Sequence, residues 1–445
     1  MLKRITRGVV GSWLCFGLAG CGSDPTDAST HAAPSSGGVP GSGGGGVAGG
    51  IGEPVTGGTG GGGSASSSGG IKLHGGNYVW PDIKYDDTYS TYRLDHPGVR
   101  QKLLDFIDTI KDEPNITGVQ VAVYWKALEG DTKGDYGAGF ASLDIVLDQL
   151  AAYGKHLNLS FSPQVFGGFA AVTDVFPQYV VDDYGVTPTG FGELGGMTSR
   201  TWQKETMDQI IRVVKAYGER YDGHPAFETI TGAETSMQVP DGLDGFGNHA
   251  LLEQFLRLIP ATRQAFPHSA VRVGANDMSG DDSLLVELMA ACQVNACAVG
   301  GPDIWPADVT QADRIFVGLN AKHESVFADY RDVMPWHVEA QWQSFVGGKG
   351  QHFTMAELFG AVEDGYSAPM CDEWDPSTYA CTHTFDFARP PMKARYLTWY
   401  ANTYEMDSQT LTWQEEILPF LRTHGPAHAQ DCPSSYQAFG GCKLD

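Results

Sequence analysis

Between residues 71 and 400, short apolar runs alternate with stretches whose apolar residues recur at helical spacing. The runs are KLHGGNYVW (72–80), GVQVAVYW (118–125), HLNLSFSP (156–163), FETITGAE (227–234), AVRVGAND (270–277), NACAVGGPDIW (295–305), PWHVEAQW (335–342) and YSAPMCDEW (366–374). Their length and β-branched or aromatic content predict strands. Between them lie VRQKLLDFIDTIK, LDIVLDQLAAYG, TWQKETMDQIIRVVKAYG, LLEQFLRLIPATRQAF, SLLVELMAAC, HESVFADYRD and MAELFGAVEDG, which predict helices. In the second of these, Leu143, Val146, Leu147 and Leu150 form one face and Gly154 supplies a stop. TWQEEILPFLRTHG predicts a last helix.

Strands alternating with helices of this length imply parallel pairing with the helices packed outside. Eight units over some 370 residues predict an α/β fold of the (β/α)₈ TIM barrel type. A doubly wound open sheet is the rival, but no G-x-G-x-x-G turn follows the first strand and no P-loop is present. With no repeat and no second linker, residues 71–445 are expected to form one domain.

The first 70 residues follow another pattern. MLKRITRGVVGSWLCFGLAGC has three basic residues, an apolar stretch short for a membrane span, then small residues. Residues 1–20 are expected to be a secretory signal peptide. Leu18, Ala19, Gly20 and Cys21 resemble the lipobox of bacterial lipoproteins, which implies lipidation at Cys21 and attachment to a membrane through that lipid. Gly22, in place of Asp, resembles outer-membrane sorting and places the protein in the bacterial cell envelope. Residues 21–70 are rich in Gly and Ser and predict a flexible tether spanning roughly 40 Å.

Composition narrows the partners. The chain has 445 residues and a formal net charge of -24, with no dense basic run beyond its first seven residues, so nucleic acid is not expected as a partner. Of eight cysteines, six lie in the folded part as close neighbours: Cys292 and Cys297, Cys371 and Cys381, Cys432 and Cys442. In an exported chain without C-x₂-C spacing these predict short-loop disulfides, with the pairing open.

In a barrel of this kind chemistry sits at the C-terminal ends of the strands. Residues there are polar and aromatic, and Asn77, Trp80, Trp125, Gln164, Asn276, Asp303, Trp305, His337, Trp342 and Trp374 are candidates for binding substrate. Two glutamates stand apart. Glu234 closes the fourth run and Glu339 lies in the seventh, so the two face each other across the barrel mouth. Opposed carboxylates suit glycosidic hydrolysis, one protonating the leaving oxygen while the other attacks the anomeric carbon; a spacing of about 5–5.5 Å gives retention.

This arrangement resembles the clan of barrel glycoside hydrolases with an acid/base after strand four and a nucleophile on strand seven. The segment YWKALEGDTKGDYGAGFASLDIVLDQLAAYGKHLNL is similar to their second-strand region. The resemblance implies a carbohydrate substrate, no cofactor, Glu234 as acid/base and Glu339 as nucleophile. Two positions depart from it. Ala233 stands where most members have the Asn that binds the sugar 2-hydroxyl, a task then open to Asn276 or Gln164. The sixth-strand Tyr that bonds the nucleophile is not found in GGPDIW.

Other readings stay open. Glu129, Glu193 and Glu373 are expected as loop carboxylates in reserve for the acid role. A barrel that binds sugar without cleaving it would account for Ala233. A metal-dependent hydrolase would need His337 and Glu339, which share a strand face, together with His74 and Asp303. No H-x-H or H-E-x-x-H is present, and no metal is expected.

Overall fold

The computed structural model describes residues 69–81, 83, 92–165, 171–190, 196–235, 237–275, 282–302, 330–340, 353–375, 380–389, 391–401, 404–406 and 409–444. Eight strands close into a barrel: β1 (Gly76–Pro81), β2 (Ile116–Tyr124), β3 (His156–Ser162), β4 (Phe227–Glu234), β5 (Ala270–Gly274), β6 (Cys297–Pro302), β7 (Trp336–Ala340) and β8 (Tyr396–Ala401). Each pairs in parallel with its neighbours in chain order, and β8 returns to β1. The expected (β/α)₈ barrel is therefore the observed fold.

The described helices lie where the spacing predicts them; of HESVFADYRD only residues 330–332 are described, and they are not helical. In α1 (Pro97–Ile110), Pro97 occupies the first turn, where its missing N–H costs nothing, and His96 caps the end by accepting from Gly98 N at 3.2 Å. Its buried residues Val99, Leu103, Ile107 and Ile110 form one stripe. After β2 comes α2 (Gly137–Ala152), which buries Leu143, Val146, Leu147 and Leu150 and runs out at Gly154, where φ is 63°. Then come α3 (Lys204–Tyr221), α4 (Asn248–Ala265), α5 (Asp282–Val294), α6 (Met355–Glu363) and α7 (Leu418–Thr423). Thr354 and Glu357 start α6 with a reciprocal capping box.

Strand alternation divides the barrel wall into two layers. On β2 and β3, Val119, Val121, Val123, Leu157, Leu159 and Phe161 are buried in the core cluster shared with the helices. Burying each contributes about 1.5–3 kcal/mol, and this layer drives closure. The positions between them point inward and are largely polar: Gln120 and Asn158 are buried there, as are Thr229, Thr231, Arg272, His337 and Thr398 on other strands. Gln120, Arg272 and Thr398 hydrogen-bond one another there and position the site described below, whereas the side-chain polar atoms of Asn158, Thr231 and His337 make no hydrogen bond.

Two expectations about strands need correction. The run YSAPMCDEW is not the eighth barrel strand: Tyr366–Asp375 pairs antiparallel with Ala380–Arg389. A return strand following so closely satisfies its backbone locally, and Pro369 cannot donate to a second neighbour. The place in the barrel falls to YLTWYA, which pairs with β7 and β1. The first run is also divided, since Ile71–Lys72 pairs with Cys442–Lys443 before β1 begins. Cys432 and Cys442 are joined in a disulfide, so this returning tail is tied down. Ile71, Leu73 and Tyr436 pack with Tyr78, Ala270, Ala298 and Tyr396 to close the N-terminal end of the barrel.

Candidate active site

Glu234 owes its direction to an irregularity. Thr229 and Thr231 of β4 pair with Ala270 and Arg272, and strict alternation from them would turn Glu234 to the outer face. A register shift between Thr231 and Glu234 inserts an extra residue, so that Glu234 pairs with Gly274 and regains the inner face. Its Oε1 accepts a hydrogen bond from Gln164 Nε2 at 3.2 Å. Gln164 is itself buried, just beyond the end of β3.

Glu339, on β7, is held from within the barrel. Its Oε1 accepts from Gln120 Nε2 at 2.8 Å and pairs with the Arg272 guanidinium at 3.1 Å. Arg272 also donates to Gln120 Oε1 at 2.9 Å, and Thr398 Oγ1 donates to the same oxygen at 2.9 Å. Side chains from β2 and β5 thus hold the carboxylate of β7, and Thr398 of β8 braces Gln120. Burial pulls the Arg272 pKa down and the Glu339 charge opposes it; a guanidinium stays protonated nonetheless. An acceptor-only carboxylate beside a buried cation and an amide has a fixed orientation.

Between the two glutamates, β5 and β6 each present a glycine to the interior at the level of His337. Gly274 of β5 pairs with Glu234 and with Gly300 of β6, and Gly300 pairs with His337 of β7. A Cβ on Gly300 would lie 1.7 Å from the His337 carbonyl oxygen, so a side chain there is excluded. His337 faces inward below Glu339 and is buried, with neither ring nitrogen hydrogen-bonded. Burial and then the Arg272 charge hold its pKa well below the usual value, so the ring is neutral.

Aromatic residues gather at the same end of the barrel on the β1, β2 and β8 side. Trp80 meets Tyr400 edge to face at 5.6 Å and Tyr92 at 6.5 Å, and Tyr92 stacks on Tyr124 at 4.5 Å. Trp80 is only partly buried, which leaves ring surface for a ligand. Of the sequence candidates, Glu234, Glu339, Gln164, Trp80 and His337 are therefore brought to this end.

Others are not. Asn77 faces the helices: its amide donates to the carbonyls of Asn115 and His424 and its oxygen accepts from Trp399 Nε1. The expectation that it binds substrate failed because Asn77 and Trp80 lie on opposite faces of one strand. Trp125 is fully buried in the core, edge-on to Phe161, with Nε1 donating to Glu129. Glu129 is a buried structural acceptor, bonded also by Gly134 N and Tyr179 Oη and paired with Arg212.

Cys292 and Cys297 are buried free thiols rather than a disulfide. They touch across the turn from α5 to β6, and burial pushes the Cys292 thiol up while its neighbour's hydrogen bond draws Cys297 down. The metal set with His74 is not assembled either, because His74 precedes β1 and pairs with Glu228 at the opposite end of the barrel.

Asn276, Asp303, Trp305, Trp342, Glu193 and Cys21 lie outside the described residues, as do the side chains of Trp374, Glu373, Cys371 and Cys381. Sequence reading missed Gln120 and Arg272. A polar residue amid GVQVAVYW and a charged one amid AVRVG were signals, since a charge inside an apolar strand needs a partner. Tyr92 and Tyr400 lay beyond the runs considered.

No protein-family model matches the sequence, and no curated protein does. Solved structures similar to the chain include a GH5_18 protein from Streptomyces cattleya in complex with GlcNAc, at 11% identity over 77% of this chain and 74% of that one, TM-score 0.42. Another is a GH5_18 protein from Bifidobacterium longum subsp. longum in complex with Manβ1-4GlcNAc, at 12% identity over 82% and 77%, TM-score 0.41. A third is the exo-β-1,4-mannosidase Op5Man5 from Opitutaceae bacterium strain TAV5, at 13% identity over 61% of this chain, TM-score 0.33. The chain spans 40% of the length of that mannosidase.

Proposed function

We propose that this protein is a retaining glycoside hydrolase acting on an oligo- or polysaccharide at the C-terminal mouth of its barrel. The observation that carries the reading is the pair of inward-facing glutamates on β4 and β7, one of them fixed by Arg272 and Gln120. In this reading Glu339 is the nucleophile: the guanidinium complements its negative charge before attack and receives that charge back when the glycosyl–enzyme bond breaks. Glu234 protonates the departing oxygen and then deprotonates the incoming water. Gln164 positions Glu234. Trp80 offers its ring to the apolar face of a sugar.

The leader and Gly/Ser-rich segment extend the reading to an exported protein lipidated at Cys21 and carried in the cell envelope. Ala233 favours a second reading, in which the barrel binds sugar without cleaving it.

The test is reducing-sugar release from a panel of β-linked glycans, comparing the wild type with Glu234→Gln and Glu339→Gln at matched thermal stability. Loss of about 10²–10⁴-fold in Glu234→Gln is expected from removal of a general acid. Glu339→Gln should lose at least as much, and Glu339→Ala with added azide should regain turnover as glycosyl azide. Release that survives both substitutions overturns the assignment. Saturable glycan binding without release by the wild type establishes the binding reading instead.

A further inference from the structure

The N-terminal end of the barrel holds a second cluster of chemically capable side chains. His74 lies before β1, His156 opens β3 and Glu228 is the second residue of β4. The two imidazoles stack with centroids 3.9 Å apart and planes 11° from parallel. His74 Nδ1 lies 2.7 Å from Glu228 Oε2. One ligating atom from each of the three residues falls within 4.8 Å of the other two. We propose that His74, His156 and Glu228 bind a divalent transition-metal ion, with Zn²⁺ the best match and water completing its coordination, at a site remote from the candidate active site.

Donor chemistry selects the metal. Two imidazole nitrogens and a carboxylate oxygen suit Zn²⁺ and its neighbours, whereas Mg²⁺ and Ca²⁺ take oxygen sets.

His156 Nδ1 is buried with no hydrogen-bond partner, while the ring contacts the carbonyl of Pro225. A lone pair left open on one nitrogen and a backbone carbonyl on the other is the pattern of a metal-ligating histidine. The carboxylate is prepared in the same way. Glu228 Oε1 accepts from Tyr396 Oη at 2.8 Å and from His74 N at 2.9 Å, which orients Oε2 toward the histidines. Binding requires Zn²⁺ to displace the proton shared between His74 and Glu228 and one imidazole to swing out of the stack, because the lone pairs lie in the ring planes and two parallel rings do not aim at one ion. Lys72 lies close enough to lower the His156 pKa, and its charge weakens affinity for a cation without blocking the donor atoms.

Three residues distant in sequence would then be joined where the barrel is closed by the Ile71–Lys72 strand and the C-terminal tail.

The full chain, purified without a histidine tag, is dialysed against Zn²⁺ and its bound metal measured, with Co²⁺ substitution read by visible absorption. Expected are one Zn²⁺ per chain, a tetrahedral Co²⁺ spectrum, and affinity reduced at least tenfold in His156→Phe, which keeps a ring in the stack. Glu339→Gln should bind metal as the wild type does. Glu228→Gln gives a second reading through its Co²⁺ spectrum wherever it remains folded. Substoichiometric Zn²⁺ in the wild type, or unchanged affinity in His156→Phe, overturns the site.

Discussion

Strand β4 carries a glutamate at each end, and the two are built differently. Glu228 at the N-terminal end is wholly buried, and His74, Tyr396 and a backbone N–H take its oxygens. Glu234 at the C-terminal end is partly exposed, turned inward by a bulge, and set beside Gly274 of β5. The first arrangement encloses a carboxyl group; the second presents one. Identical residue types on one strand are thus separated by what surrounds their oxygens, and hydrophobic patterning alone does not distinguish them.

That contrast can be broken most forcefully at Glu228. Glu228→Ala strips the partner from His74 and Tyr396 and is expected to cost about 3–5 kcal/mol in urea unfolding. Glu234→Gln should cost far less while removing turnover. Comparable losses of stability in the two variants would erase the distinction.

Acid titration sharpens the same comparison. The His156 pKa is depressed to about 4 in the folded protein against about 6.5 when unfolded, so the unfolded chain binds more protons between those values. Stability should therefore fall as pH drops from about 6.5 to about 4, by on the order of 2 kcal/mol from this ring. Glu228, also depressed, adds stability above its unfolded pKa that is lost as pH falls through the folded one. Unfolding midpoints across this range should be flatter in His156→Phe, and equal slopes would remove His156 from the account.

The smallest effect is expected at Gln164. Gln164→Ala removes one hydrogen bond to Glu234, worth about 0.5–1.5 kcal/mol, and should lower kcat by up to about tenfold with little change in KM. A shift of the pH profile with kcat preserved would show that the amide tunes Glu234 rather than aiming it.

Much of the barrel was legible because strand and helix periods alternate cleanly and the helices carry clear stripes and stops. The eighth strand was not, because YSAPMCDEW and YLTWYA are both strand-like, and only pairing reveals which one returns on its own neighbour. Glu234 could be picked out from its place at a run end, and Glu339 from its position opposite it across the ring. Arg272 and Gln120 lay mid-run, where their significance depends on meeting across the interior. Asn77 was misread for want of strand parity and Trp125 because the chain turns into a short helix, Trp125–Leu128, where the strand was expected to continue, and the bulge that aims Glu234 leaves no mark in composition.

The closure of the barrel by Ile71–Lys72 against Cys442–Lys443 has a practical bearing. Both ends of the described domain leave from the face opposite Glu234 and Glu339. A bead, sensor chip or fusion partner joined through either end would leave Glu234 and Glu339 facing away from the support, so attachment should not obstruct the end of the barrel that carries them.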